Sequence, residues 1–435
     1  MSPHIETPVL IVGGSLVGLS SALLLGHYGV EPLVVERHRG TAIHPRAAQI
    51  SQRTMEIFRS VGVEQIVTRA SEEQFVQDGA IMAVDTLAGK EIATYIANLN
   101  EGVRDASPCL RVFISQSLLE PLLQKRAQEL GAELRFATEL VSFEQDKDGV
   151  TAVIRSRDSG DPQTVRAQYM IAADGAHSPI REKLGIPMRG RGVFSNSITI
   201  YFRADVRPLL RGRNLSVIYV LNPTLRGFFR FEKPFTSGFL AVNAIGDPQQ
   251  PTTDLRNLSP EQHLELVYAA LGTRDVPVTI DNVMHWQACA DVAERFQGGR
   301  IFLAGDSAHV MPPNGGFGGN TGIQDAQNLA WKLAEVLRGE ELPAMLQTYD
   351  AERRPIAEFT VEQAYARYVT RTAPYLGTAT LPTIAPDLDI ELNYSYDHGR
   401  VRHIRHADGL GLRWTTAVVD GRQVPVRPDG FAVVD

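Results

Sequence analysis

Cysteine is nearly missing from this 435-residue chain, which has only Cys109 and Cys289. Two thiols cannot build a disulfide framework. Neither lies in a Cys-x-x-Cys or Cys/His cluster, so a structural zinc site is excluded and a reducing compartment is expected. No apolar run approaches the ~20 residues of a membrane helix. The leading MSPHIETP is not a basic segment running into an apolar core, so a cytoplasmic protein is expected. Positive charge is not in excess either. With 43 Lys+Arg against 50 Asp+Glu the formal net charge is -7, which argues against a nucleic-acid or anionic-membrane partner. No repeat, low-complexity tract, Ser-His-Asp arrangement or metal-ligand cluster is legible. What remains is an ordinary globular composition, 43% hydrophobic and 21% charged, long enough for two to three domains at about 100–200 residues each.

Glycine, by contrast, is concentrated where it matters. Residues 300–338 read RIFLAGDSAHVMPPNGGFGGNTGIQDAQNLAWKLAEVLR. Ile301–Ala304 is an apolar run too short for a helix, hence a buried strand, and it ends in Gly305-Asp306. A carboxylate there leaves the sheet at a strand's C-terminal end, the ligand edge of an open α/β sheet. Pro312-Pro313 and glycines 315, 316, 318 and 319 follow, giving up side chains so that backbone can approach something flat. Asn320 and Thr321 suit the start of a helix with Ile323, Ala326, Leu329, Ala330 and Leu333 on one face.

The chain opens in a related way. Val9–Val12 is a continuously apolar strand, Gly13-Gly14-Ser15-Leu16-Val17-Gly18 turns into a helix, and Leu33-Val34-Val35 ends in Glu36-Arg37. This is the strand–turn–helix–strand dinucleotide pattern, with Glu36 placed to accept from a ribose hydroxyl. The usual middle glycine is Ser15. Either Gly14 gives the pyrophosphate its room, or the Ser15 hydroxyl donates to phosphate. A third strand, in YMIAADGAHSPIREKLGI, runs into Asp174-Gly175 and then Arg181. These residues read either as phosphate-ligand chemistry or as an ordinary strand-to-helix turn.

Between these motifs, within residues 44–62, Ile50, Thr54, Ile57, Phe58 and Val61 line one helical face that Gly62 suits as a C-cap, and Arg46 just before that face reads as a surface arginine. Residues 63–110 read as strands and loops. Residues 115–131 are a helix with capping-box spacing from Ser117 to Glu120. Strands fall at 133–136, 139–144 and 150–155. Runs at 197–202, 215–221, 227–231 and 238–244 predict an antiparallel sheet rich in aromatics. Residues 341–370 are helical with a break at Pro355. The chain beyond Gly377 is irregular.

Three separated strand ends, and above all ADGAHSPIR with RIFLAGDSAHVMPPNGGFGGN, make residues 6–360 resemble the para-hydroxybenzoate hydroxylase-like flavoprotein monooxygenases. The hydroxylases of polyketide and phenol metabolism are the nearest group. The resemblance implies an α/β fold with a Rossmann-like, glutathione-reductase-like FAD-binding domain (1–78, 111–186, 286–365). It also implies an inserted, mainly antiparallel substrate-binding domain (79–110, 187–285). Residues 366–435 would be a C-terminal helix and tail, smaller than the thioredoxin-like domain of about a hundred residues in larger members. The closing VPVRPDGFAVVD resembles that domain's last hairpin and is expected to pack on the FAD domain or a partner subunit. Whether this end is native or shortened stays open, as does a homodimeric state.

By the same resemblance, the glycine turn and Glu36 hold the ADP half of FAD, and Asp306 holds the ribityl chain. Backbone from Gly316 to Asn320 lies on the flavin. Arg46 becomes a cofactor contact, as does Gln116 of the SQ-x-x-L-E segment. Asp174, Gly175 and Arg181 serve FAD and NAD(P)H. The implied reaction is reduction of FAD by NADPH or NADH, addition of O2 at C4a, and transfer of OH from the hydroperoxide to a phenolic or polycyclic ring. A Baeyer–Villiger outcome and a non-catalytic flavin-binding protein are the rivals. No motif names the residue that activates substrate. Tyr219 and Arg371 are offered as a phenol and guanidinium that polarise a substrate phenol, against their ordinary reading as core and surface residues.

Overall fold

Strand His4–Val12 sits in the middle of an eight-stranded sheet in the computed structural model, which describes residues 4–43, 49–247, 249–392, 394–397, 400–403, 415–419 and 422–426. Val9, Leu10 and Ile11 are all buried although successive side chains point to opposite faces, so both faces are covered. The strand pairs in parallel with Leu33–Val35 on one side and Pro162–Ala172 on the other, and Ile301–Leu303 follows in parallel beyond. The register sets Val12 beside Val35 and Ala172, and Ala172 beside Leu303. Three turns far apart in sequence therefore leave one edge of the sheet side by side.

A second eight-stranded sheet begins at the short edge strand His309–Val310 beside Thr279–Ala293, and the latter pairs along Met188–Arg203. It continues through Ser237–Ile245, Leu225–Glu232, Leu215–Leu221, Ala80–Val84 and Glu91–Ile96. All neighbours in this series are antiparallel except Leu215–Leu221 with Ala80–Val84, which are parallel. Side chains alternate with period two. Ile198, Ile200, Ile218, Phe229 and Leu240 pack with Leu266 and Val267 of helix Pro260–Leu271. The residues between them face the other way, towards the first sheet's turns.

Several elements differ from the pattern of the sequence. Helix Glu64–Gln74 falls where that pattern predicts strands and loops; it buries only Val67 and Ser71, too few to print a periodicity. Helix Pro260–Leu271 is a further addition, with Ser259 and Gln262 forming a capping box at its start. The helix expected to start at a Ser117 cap begins at Gln116 behind Ser115, and Glu120 accepts from Ser15, Ala42 and Gln116 instead of closing a box with Ser117. Pro355 breaks nothing: Gln347–Arg371 is one helix. The missing N–H costs about 3 kcal/mol, offset by burial of Ile356, Ala357, Val361, Ala364 and Tyr368 along the same helix. The expected boundary at 285/286 falls inside strand Thr279–Ala293, and that at 365/366 inside helix Gln347–Arg371. Beyond Gly377 the chain is more regular than expected, with helix Asp387–Leu392 and two strand pairs. The helix docks on this same chain, through Glu391 to Arg111 and Asp387 to Arg367, each at 2.6 Å. Arg46 and residues 427–435 of the closing segment lie outside the described residues.

Candidate active site

The aligned turns of the first sheet and the free face of the second enclose a cavity of about 1370 Å³. This exceeds the ~300–1,000 Å³ typical of a pocket for one small ligand. Its first wall is largely backbone. Gly13 holds φ at 109°, and a Cβ there would lie 2.1 Å from the Ala173 carbonyl oxygen. Gly18 lets the first helix, Leu16–His27, sit directly on that turn, since a Cβ would come within 1.8 Å of the Gly13 oxygen. Glu36 closes the turn: one carboxylate oxygen accepts from Gly14 N–H at 2.7 Å and the other from His38 N–H at 2.8 Å.

Ser15 resolves differently from either expectation about phosphate. Its hydroxyl donates to Glu120 at 2.6 Å and accepts from Gln116 Nε2 at 2.8 Å, while Glu120 also accepts from Gln116 and from Ala42 N–H, both at 2.6 Å. Three donors thus offset a buried carboxylate beside the turn, and the serine is committed to protein. Gly14 is left to provide the room.

The other two turns supply carboxylates. Asp306 is exposed on the cavity, in the short helical turn Gly305–Ser307. Asp174 also lines it, and its Oδ1 is buried without a hydrogen-bond partner. Burial pushes that carboxyl up from its ordinary value, with Ser178 and Ile180 N–H opposing. An orphaned acceptor of this kind awaits a donor from a ligand.

The glycine segment becomes helical three residues earlier than expected. The apron helix is Phe317–Arg338 behind Gly316, whose φ of 68° is left-handed. Gly318 and Gly319 therefore belong to its first turn, where N–H groups have no intrahelical partner and face the cavity beside Pro313. Asn320 does not reach the cavity. It accepts from Ser51 N–H and the Thr54 hydroxyl and donates to the Gln49 and Gly316 carbonyls, so it ties the apron to helix Gln52–Ser60.

Beneath the apron lies a buried ionic network. Asp325 accepts from Gly305 N–H at 3.1 Å, pairs with His309 at 2.7 Å and pairs with Arg353 at 2.8 Å. Burial pushes its carboxyl up, but the interactions with His309 and Arg353 win and hold it below the ordinary carboxylate value.

Leu16, Val17, Gly18 and Arg181 also stay away from the cavity. Leu16 is in the core, and Val17 wedges into a notch made by Gly305 and Gly322. Arg181 is buried and donates to the Ala176 and Ser307 carbonyls at 3.1 and 3.0 Å, clamping two of the turns together. Gly13, Gly14, Ser15, Glu36, Arg37 and Gln116 line the cavity, as do Asp174, Gly175 and Asp306 with Pro313, Gly316, Gly318 and Gly319. The backbone cradle, the orphaned acceptor and the helix N-terminus fit an adenine dinucleotide carrying a flat ring.

A sequence profile of the FAD binding domain family matches residues 6–364. The chain belongs to the FAD-dependent aromatic hydroxylases. It is 55% identical over 396 residues to a 4-methyl-5-nitrocatechol 5-monooxygenase of Burkholderia sp, covering 91% of this chain and 72% of the relative. It is 43% identical over 410 residues to a polyketide hydroxylase, so named as putative, of Streptomyces halstedii, with the same two coverages of 91% and 72%. The crystal structure of aklavinone-11 hydroxylase with FAD and aklavinone superposes with a TM-score of 0.83 at 34% identity, over 91% of this chain and 74% of that one. FAD is the hydroxylase's cofactor, with NAD(P)H and O2 as co-substrates. No helix among the described residues is long and apolar enough to cross a membrane.

The second wall of the hydroxylase is made of side chains. Thr199, Tyr201, Val217, Tyr219, Phe228 and Phe239 face the cavity from the sheet. Tyr219 and Arg371, 152 positions apart in sequence, meet through Tyr95. Tyr219 stands edge-on to that ring at 5.6 Å and the Arg371 guanidinium lies 5.0 Å from its centre. Asn314 donates to the Tyr219 hydroxyl at 3.1 Å and so links the glycine segment to the sheet. Tyr95, Asn314 and Arg230 do not stand out in the sequence as site residues. Asn314 does carry a signal, as a lone amide between Pro-Pro and Gly-Gly; the others carry only strand alternation.

Proposed function

We propose that the hydroxylase inserts one oxygen atom of O2 into a phenolic ring held between the apron and the aromatic sheet wall. In this reading the first sheet and its helices bind FAD and the second sheet binds substrate. The observation that carries it is that Tyr219 and Arg371, which both line the cavity, meet on Tyr95. Because Tyr219 accepts from Asn314, its own O–H is available to donate to a substrate oxygen. A donated hydrogen bond and a nearby guanidinium both favour phenolate over phenol, which makes the ring more electron-rich. FAD, when bound, supplies electron transfer from NAD(P)H and the activation of O2. The chain's own part is to orient the ring and to exclude water, which the apolar residues of both walls favour.

A substituted phenol or catechol is the favoured substrate class, supported by the 55% identity to the nitrocatechol monooxygenase. A polycyclic phenol is the second reading, supported by the cavity of about 1370 Å³. A cytoplasmic setting is supported by the two free thiols, Cys109 and Cys289.

The test is to purify the protein, record its visible spectrum, and follow anaerobic NADPH oxidation with a panel of phenols, catechols and polycyclic phenols. A yellow protein whose reduction accelerates with one ring system, and whose aerobic product gains one oxygen in mass, is expected. A protein that takes up no FAD, or that oxidises NADPH with no aromatic compound, overturns the proposal.

A further inference from the structure

The cavity is lined by a second guanidinium, this one on the sheet wall, that the chemistry above does not use. Arg230 lies on strand Leu225–Glu232, two residues from Phe228 and on the same cavity-facing side. It is 8% exposed. Its guanidinium carbon is 3.9 Å from the centre of the Phe113 ring and 4.9 Å from that of Phe75. These rings hold the cation without neutralising it. Its Nε and Nη2 are buried and have no hydrogen-bond partner.

Three other buried arginines of this chain each hold a carboxylate directly. Arg353 is paired with Asp325, Arg111 with Glu391 and Arg367 with Asp387. Arg230 has only Glu232 acting at a distance, and burial pushes that carboxyl up, towards its neutral form. Burial likewise pulls the guanidinium down to about 9, which leaves it charged at neutral pH. A buried cation with two idle donors, on a side chain that lines the cavity, is costly unless a ligand completes it.

Nε and Nη2 lie on one edge of the guanidinium, so their N–H groups form a parallel fork that matches two oxygens on one planar centre. We propose that Arg230 binds a negatively charged pair of oxygens on the substrate ring, a carboxylate or the nitro group of a nitrophenolate. The inference rests on the sheet wall being the substrate side. Arg371 and Arg230 would then grip one ring from two positions, the first at the oxygen being activated and the second at the substituent that sets orientation. Arg230 is a specificity-determining residue in this arrangement.

The experiment uses the FAD-loaded enzyme and compares 4-nitrocatechol and 3,4-dihydroxybenzoate with 4-methylcatechol, in the wild type, Arg230→Gln and Arg230→Lys. The wild type is expected to prefer an oxyanion-bearing ring in kcat/KM. Arg230→Gln is expected to lower that preference by about 10- to 100-fold. Arg230→Lys, which keeps the charge without the fork, should fall between them. Equal selectivity in all three proteins overturns the inference, and so does loss of FAD from Arg230→Gln, which would assign the guanidinium to the cofactor. If the glutamine variant fails to fold, the wild type decides: hydroxylation of all three rings without preference removes the proposed subsite while leaving the hydroxylase reading intact. Failure of every ring to stimulate NADPH oxidation removes the broader reading instead.

Discussion

On the cofactor wall the groups facing the cavity are mostly backbone and glycine, whereas on the sheet wall they are mostly side chains. Several polar side chains in and behind the first wall are already occupied by protein: Glu36 by two N–H groups, Ser15 by Glu120, Asn320 by four partners. What this wall offers a ligand is shape, a helix N-terminus, the exposed carboxylate of Asp306 and one orphaned carboxylate oxygen at Asp174. The second wall offers aromatic faces and the guanidinium of Arg230, left incomplete, with Arg371 set against Tyr95 from the end of helix Gln347–Arg371. A wall of backbone accepts one ligand shape and tolerates little substitution. A wall of side chains on a rigid sheet can be retuned one residue at a time, which suits substrate choice.

That contrast can be broken most forcefully at Gly13. Gly13→Ala puts a methyl 2.1 Å from the Ala173 oxygen at a φ of 109°, and it is expected to weaken FAD binding by about 100-fold or more. Flavin content of the purified variant reads this directly, and a normal yellow protein would show that the wall yields. Next comes its foundation. Asp325→Asn leaves Arg353 and His309 without their carboxylate and should cost about 3–5 kcal/mol in a denaturant melt. Since pairing depresses the folded pKa of Asp325, its contribution is present above the ordinary carboxylate value and is lost as pH falls through the lower folded value. The deficit of the variant against wild type should therefore be full near neutral pH and shrink below about pH 4. A deficit that does not change with pH would place the loss in packing instead.

On the sheet wall effects should be graded and confined to catalysis. Tyr219→Phe and Arg371→Ala are each expected to lower hydroxylated product formed per NADPH consumed by about 100-fold. Normal yields from both variants would remove the pair from the chemistry. The smallest effect is predicted at Ser15. Ser15→Gly restores the missing glycine of the dinucleotide turn but strips a donor from Glu120, at about 1 kcal/mol of stability. FAD affinity should move by less than about threefold, because the hydroxyl serves protein rather than phosphate. A large loss of affinity would return Ser15 to the phosphate.

Much of the cofactor wall is legible in the amino-acid sequence, because its constraints are local. A strand must end, a turn must bend where no side chain fits, and a helix must begin within a few residues. Glycines 13, 14, 18, 316, 318 and 319 and the acids 36, 174 and 306 mark those places. The departures there are also local. Val17, Arg181 and Asn320 sit in the right motifs but turn towards protein, and motif membership does not encode the direction of a side chain. Little of the sheet wall can be read in this way, since every strand alternates and nothing in a single strand says which face meets ligand.

The dinucleotide-type sheet, its three ligand-edge turns and the family are properties of the sequence alone, for each depends on short spans of chain with strict steric demands. That Ser15 belongs to Glu120, that Tyr219 and Arg371 meet on Tyr95, and that Arg230 is buried without a partner are properties of the folded chain. Those outcomes depend on how helices and strands more than a hundred residues apart are brought together and on which side chains reach a neighbour first. Burial belongs to the whole fold, so whether a charge finds its counter-charge is settled only when the chain closes around it.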